Sequence, residues 1–315
     1  MVEKFLKNVG ILAILVLTLV ACGKKSDEKI KIGITQIIEH PALDSARKGF
    51  EDVLKSSEFG PKIEFEEKSA QGDIAVAQTI AEGFVNDNKN MILAIATPAA
   101  QAVFNSTKET PILITAVTDP KAAGLTGKNV TGTSDATPID KQFQLLKELF
   151  KDAKKVGIIY NLGEQNSEIQ VKQAQSLAGK FGLQIEAVGV SNVNEISQAL
   201  DSLLAKVDVL YAPTDNLLAS SMPLIAEKAT AVKKGIIAGE KGMVEAGATA
   251  TQGIDYYELG KQTGEMAIKI LKGSKPSDLE IKTLENTELV VNTNSLEKLG
   301  IKLPENLDKI AKKVQ

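Results

Sequence analysis

The chain has 315 residues, 43% hydrophobic and 24% charged, a globular composition with room for about two domains of roughly 150 residues each. Its formal net charge of −3 offers no basic excess to hold a phosphate backbone, so no nucleic-acid partner is expected. His40 is the only histidine, Cys22 the only cysteine and Arg47 the only arginine, which excludes intramolecular disulfides and multi-histidine metal sites and limits how an anion can be held.

The chain opens on MVEKFLKNVGILAILVLTLVAC, with Lys4 and Lys7 ahead of an apolar run from Val9 to Ala21. That run has the length of a signal-peptide core and is short for a transmembrane helix. Leu19-Val20-Ala21-Cys22 matches the lipobox pattern of bacterial lipoproteins; a signal anchor with an incidental buried cysteine is the alternative. The expectation is therefore a signal peptide over 1–21, then lipidated Cys22 and a polar tether over 22–29. Two acyl chains, palmitate among the candidates, would hold the protein on the extracytoplasmic face of the cell membrane. Loss of Glu3, Lys4 and Lys7 changes the net charge to −3 − 2 + 1 = −4.

From Lys29 onward strand and helix patterns alternate. IKIGITQ precedes a helix on which Leu43, Ala46, Phe50, Val53 and Leu54 share a face, and KIEFEE precedes DIAVAQTIAEGFVND. MILAIA and its helix follow, then PILITAV (Pro111 to Val117). A second series starts near Lys155: VGIIYN before a helix from Glu164 to Phe181, LQIEAVGV before one from Asn194 to Leu204, VDVLYAP before one from Asp215 to Lys233, and GIIAG. Short apolar strands alternating with amphipathic helices predict parallel sheets covered on both faces. The expected class is α/β with two doubly wound parallel-sheet lobes joined by a hinge: an N-terminal lobe over 30–134, a C-terminal lobe over 135–253, and segments in 254–315 that cross between the lobes and complete both. In that tail, Tyr256 to Leu271 reads as a helix and TELVVN as a strand.

Ligands of open α/β sheets sit beyond the carboxyl ends of the strands. The residues there are QIIEHP, ATPAA and AVTDP in the first half, and YNLGEQNS, YAPTDN and AGEKG in the second. Pro41, Pro98, Pro120 and Pro138 each follow an N-cap candidate (His40, Thr97, Asp119, Thr137) and suit a first helical position. Such helix starts point free N–H groups and a positive dipole end at the crevice, where an anion is favoured, although ordinary capping is the competing reading. For Thr137 capping is preferred; for Thr97 and Asp119 a ligand role is. No G-x-S-x-G, G-x-x-x-x-G-K-[ST] or H-E-x-x-H motif occurs, so no enzyme, cofactor or metal is expected.

At ITQIIEHPALD, ATPAAQA, AVTDP, NLGEQNS, PTDN and GIDYYELGKQTGEMA the chain resembles the ABC-transporter substrate-binding lipoproteins of the tryptophan/aromatic amino-acid type, with the type I periplasmic-binding-protein fold. The resemblance implies two lobes joined by three crossovers, an amino acid clamped between them, and delivery to ABC permease subunits by a monomer. Arg47 lies several residues into its helix, so the ligand carboxylate falls to helix starts and hydroxyls: Thr97, Ala99, Ala100 and Thr118. For the ammonium the resemblance favours Glu240, with Asp215 as the other candidate and helix capping as Glu240's plainer role. Asn161 and Asn216 would add hydrogen bonds, and Ile37, Pro98 and Val117 an apolar pocket. Gln36, Asp119, Glu164 and Thr214 complete the expected site, with the roles of His40 and Glu164 open. A nucleoside or sugar ligand, or a surface sensor or adhesin, are the alternatives; the predicted cleft loops carry no Trp or Phe on which a sugar ring could stack.

Overall fold

The computed structural model describes residues 29–284 and 286–315; the leader and Cys22 lie outside the described residues. The first lobe begins with β1 (Ile30–Gln36), α1 (Pro41–Lys55), β2 (Ile63–Ser69), α2 (Ile74–Asn86), β3 (Met91–Ile95), α3 (Thr97–Ser106), β4 (Ile112–Val117) and β5 (Val130–Ser134). The chain then crosses into a second lobe at α4 (Ile139–Leu149), followed by β6 (Lys155–Asn161), α5 (Gln165–Ala178), β7 (Gln184–Val190), α6 (Val193–Leu204) and β8 (Val209–Ala212). Two short helices, α7 (Asn216–Ser220) and α8 (Met222–Ala231), stand where the periodicity predicts one, because Pro223 cannot continue α7 and instead fits the first turn of α8. β9 (Ile236–Ala238), α9 (Lys241–Glu245) and β10 (Ala250–Gly253) end this series.

The tail divides between the lobes. Helix α10 (Tyr256–Leu271) returns to pack on α1, and β11 (Lys282–Thr283) adds to the edge of β5. β12 (Glu288–Asn292), α11 (Thr293–Leu299), α12 (Glu305–Asp308) and β13 (Lys312–Val314) belong to the second lobe. The chain thus passes between lobes three times. The first sheet has the order β11-β5-β4-β3-β1-β2 and the second β13-β12-β10-β9-β8-β6-β7. All pairs are parallel except β10 with β12.

Strands β3 and β4 are buried along their whole length, which is why they read as unbroken apolar runs rather than alternating ones. Helix α10 approaches α1 closely because glycines face each other: a Cβ on Gly260 would lie 1.9 Å from the Ala46 carbonyl oxygen, and one on Gly49 would lie 2.1 Å from that of Tyr257. That contact fixes the first turn of α10, where Tyr256 stands, directly after the second crossover.

Candidate functional site

At the carboxyl end of β3 the backbone turns through Ala96, whose φ of 76° is a conformation side chains rarely adopt. Ala96, not Thr97, is the N-cap of α3; Thr97 is its first helical residue and Pro98 its second, and no side chain caps the helix. The Ala96 N–H is bound to Thr115 O (3.0 Å) and the Ala100 N–H to Ala96 O (3.0 Å). Ala100 therefore has no N–H to offer, and those left at the helix start are of Thr97 and Ala99. The Thr97 hydroxyl is buried and finds no hydrogen-bond partner among the described residues. On the neighbouring strand Ala116 also has positive φ, 56°, where the β4–β5 register shifts between Ile114 and Val117. Two strained alanines on adjacent strand ends mark this edge of the sheet as shaped for something other than pairing.

Between the lobes lies a narrow cavity with room for about one water-sized group. Both lobes line it: His40, Thr118, Asp135 and Tyr256 from the first and its crossovers, Asn166, Asp215, Asn216 and Glu240 from the second. Among the described residues no lysine or arginine does.

Three lining residues present a buried acceptor without a partner among the described residues: Asp135 Oδ1, Asn166 Oδ1 and His40 Nδ1. Asp135 Oδ2 accepts the Tyr256 hydroxyl at 2.6 Å. Burial pushes the Asp135 carboxyl above the usual carboxylate range. Asn166 spends its amide N–H groups on Glu164 Oε2 (3.1 Å) and Thr214 O (2.9 Å), so its oxygen is the free end. His40 Nε2 lies 3.2 Å from Asn216 Oδ1, while Asn216 donates its own amide to Glu164. Nε2 must then carry the proton, and Nδ1 is a bare lone pair. Burial holds the His40 pKa below the ordinary histidine value, consistent with a neutral ring.

The other two cavity acids are spoken for. Glu240 is the N-cap of α9: Oε1 accepts Met243 N (2.8 Å) and Oε2 accepts Gly242 N. Asp215 caps α7 through Leu218 N (2.9 Å) and also accepts Asn161 N (2.6 Å). Burial raises the pKa of both, to about 7 for Glu240; for Asp215 the Glu164 charge adds to it.

Of the residues singled out from sequence, Thr118, Thr214, Asp215, Asn216 and Glu240 meet at this cavity. Ile37, Pro98, Asn161 and Glu164 line a second pocket of about 440 Å3 nearer the rim, which shares Asn216 with the first. Its apolar lining includes Ile37, Ile38, Ile74, Pro98 and Leu217. Glu164 is a structural hub there, accepting from Asn161 Nδ2, Asn166 Nδ2, both nitrogens of Asn216, and Leu217 N. Gln36 turns away to Asp44 Oδ1 (3.0 Å) and Ile38 O (3.2 Å), and Val117 and Ala100 lie in the core. Asp119 starts a turn rather than a helix, accepting Ala122 N at 2.9 Å, and Pro138 is itself the N-cap of α4. Arg47 pairs with Glu67 and Asp44 outside the cavity. Sequence reasoning did not select Asp135, Asn166 or Tyr256, and left His40 without a role.

Residues 31–315 match the sequence family described as ABC transporter substrate binding protein. The chain is 46% identical over 289 residues to a tyrosine-binding protein of Clostridioides difficile strain R20291, covering 89% of this chain and 84% of that one. It is similar to a Streptococcus ABC domain solved in complex with L-Trp: 34% identity, 91% of this chain, 100% of the other, TM-score 0.86. It is also similar to the ligand-free, open structure of a Clostridium difficile substrate-binding protein with adhesive properties: 47% identity, 90% and 99% coverage, TM-score 0.68. At 14% identity a leucine-binding protein of Thermotoga maritima, with TM-score 0.62, shares the two-lobe fold of type I periplasmic binding proteins. The more identical of these two relatives, the one solved ligand-free and open, superposes less well on this chain than the one solved with L-Trp.

Proposed function

The chain belongs to the family of ABC transporter substrate-binding proteins, and from that premise we propose that its inter-lobe cleft captures free tyrosine or tryptophan for an ABC importer. The observation that carries the reading is that Asp135, Asn166 and His40 line one cavity and each has a buried acceptor, Oδ1, Oδ1 and Nδ1, without a partner among the described residues. A primary ammonium has three N–H donors and one positive charge; the site offers three acceptors and, in Asp135, a negative charge that no side-chain cation answers. The start of α3, with the Thr97 hydroxyl and the N–H groups of Thr97 and Ala99, suits the carboxylate. The rim pocket lined by Ile37, Ile38, Ile74, Pro98 and Leu217 suits an aromatic ring. The tyrosine-binding and L-Trp-bound relatives support that ring chemistry.

In this reading Asp135 takes the role that resemblance gave Glu240, and Glu240 shapes the wall. Cys22 carries the lipid anchor and holds a monomer at the extracytoplasmic membrane face, beside its permease. Isothermal titration of the purified protein against the twenty amino acids tests the assignment: micromolar or tighter binding of tyrosine or tryptophan is expected, and no binding of either sinks it. The adhesive properties of one relative favour a second, additional role in surface attachment. A deletion strain that keeps aromatic amino-acid uptake but loses attachment would put that role first.

A further inference from the structure

On the side of α3 that leads away from the cavity, the two lobes are joined by a ring of amide hydrogen bonds. Gln101 donates through Nε2 to Gln165 Oε1 across the cleft (2.8 Å) and to Ala123 O within its own lobe (3.2 Å). Gln165 donates through Nε2 to Ala122 O, again across the cleft (2.9 Å). Both ends of the Gln165 amide are thus engaged by the opposite lobe, and neither glutamine lines the inner cavity. We infer that Gln101 and Gln165 form a clasp that sets the lifetime of the closed complex without contacting the ligand, and so act as affinity-determining residues outside the binding site.

Placement in the chain gives the clasp its link to occupancy. Gln101 stands one turn beyond Thr97 on α3, and Gln165 is the first residue of α5, next to Asn166. A ligand that binds the start of α3 and Asn166 Oδ1 brings those two helices together, and the same approach aligns the glutamines. Opening the lobes separates Gln165 from both partners at once and returns the amides to water. Each such bond is worth a few-fold in an equilibrium, so two of them slow release by about five- to thirtyfold. Because the clasp touches no ligand atom, it scales every ligand's affinity by one factor and leaves discrimination to the cavity.

The inference rests on the ligand reading above, and the test keeps the two apart. The chain has no tryptophan, so the indole fluorescence of bound L-Trp is free of protein background. Release is followed in stopped flow by chasing bound L-Trp with excess L-Tyr, using the full-length protein, Q165A, Q101A and the double variant. Q165A is expected to release L-Trp about five- to thirtyfold faster, with association rates within about twofold of the unaltered protein. The L-Tyr to L-Trp affinity ratio stays unchanged, and the double variant is little worse than Q165A alone, as for a shared bond. An unchanged melting temperature in the ligand-free state confirms that the variants fold. Unchanged release in Q165A, or an altered affinity ratio, overturns the clasp while leaving the ligand assignment intact. Failure of the unaltered protein to bind either amino acid overturns the assignment and removes the clasp's function with it.

Discussion

The Tyr256 hydroxyl donates a 2.6 Å hydrogen bond to Asp135 Oδ2, and the other oxygen of that buried carboxylate has no partner among the described residues. The two residues stand on different passages between the lobes: Asp135 directly follows β5, and Tyr256 follows β10. A cation bound to Asp135 therefore acts on the hinge itself. Asp135→Asn keeps the shape and removes the charge, and truncating one member of a buried charge pair costs about 2–5 kcal/mol. Titration should show tyrosine or tryptophan binding weakened by about thirtyfold or more, with deaminated analogues binding the two forms alike. Full affinity in the variant would take the ammonium away from Asp135.

At the start of α3, strain and ligand geometry can be separated. Ala96 holds a φ of 76°, which glycine adopts without a Cβ penalty. Ala96→Gly should leave binding intact and stabilise the fold by about 1 kcal/mol, the relief of strain less glycine's extra unfolded-state entropy. Ala96→Val puts a β-branched residue in the same place and should lose stability by about 1–3 kcal/mol together with affinity, because Thr97 moves with it. Urea unfolding and titration, run side by side, check both.

The contact between α1 and α10 makes a third test. A methyl group on Gly260 would sit 1.9 Å from backbone at Ala46, whereas the nearest atom to one on Gly264 is the Val53 side chain at 2.9 Å. Gly260→Ala must push α10 off α1, costing about 1–3 kcal/mol, and it should weaken ligand binding as Tyr256 shifts relative to Asp135. Gly264→Ala should be the milder change by both measures.

Much of this architecture is legible from β3, β4 and their neighbours, whose unbroken apolar runs announce buried parallel strands. Besides the short edge strands β11 and β13, the strands that escape are β5 (VTGTS) and β10 (ATQG): short, threonine- and glycine-rich, and buried without an apolar run. Missing β5 hides Asp135, because a residue at an unrecognised strand end is never considered for the crevice. The alternating Thr131 and Thr133, with SDATP after them, were the available signal. Asn166 and Glu164 share one quoted loop, and only the hydrogen-bond pattern separates the saturated carboxylate from the amide with a free oxygen. No spacing rule reaches that distinction.

Glu240 offers a test in which the sign of the pH dependence separates capping from ligand contact. Burial raises its carboxyl from 4.5 to about 7 in the folded chain, so folding favours its protonated form. A group with a raised folded pKa contributes its full stability below the unfolded value and loses it as pH climbs through the folded one. The stabilising share of Glu240 is therefore present below about pH 4.5 and gone above about pH 7. Glu240→Gln cannot titrate and keeps one acceptor for the N–H groups of Gly242 and Met243. When both proteins are melted without ligand at a series of pH values, the stability of the unaltered protein relative to the variant should fall between about pH 4.5 and pH 7 and level off above. A constant difference would mean that Glu240 remains ionised across this range, held by the two N–H groups more strongly than burial opposes it. Because Asp135 takes the ammonium, the same variant should bind tyrosine within about tenfold of the unaltered protein, the cost of one weakened cap bond. A loss as deep as that of Asp135→Asn would return Glu240 to the ammonium site.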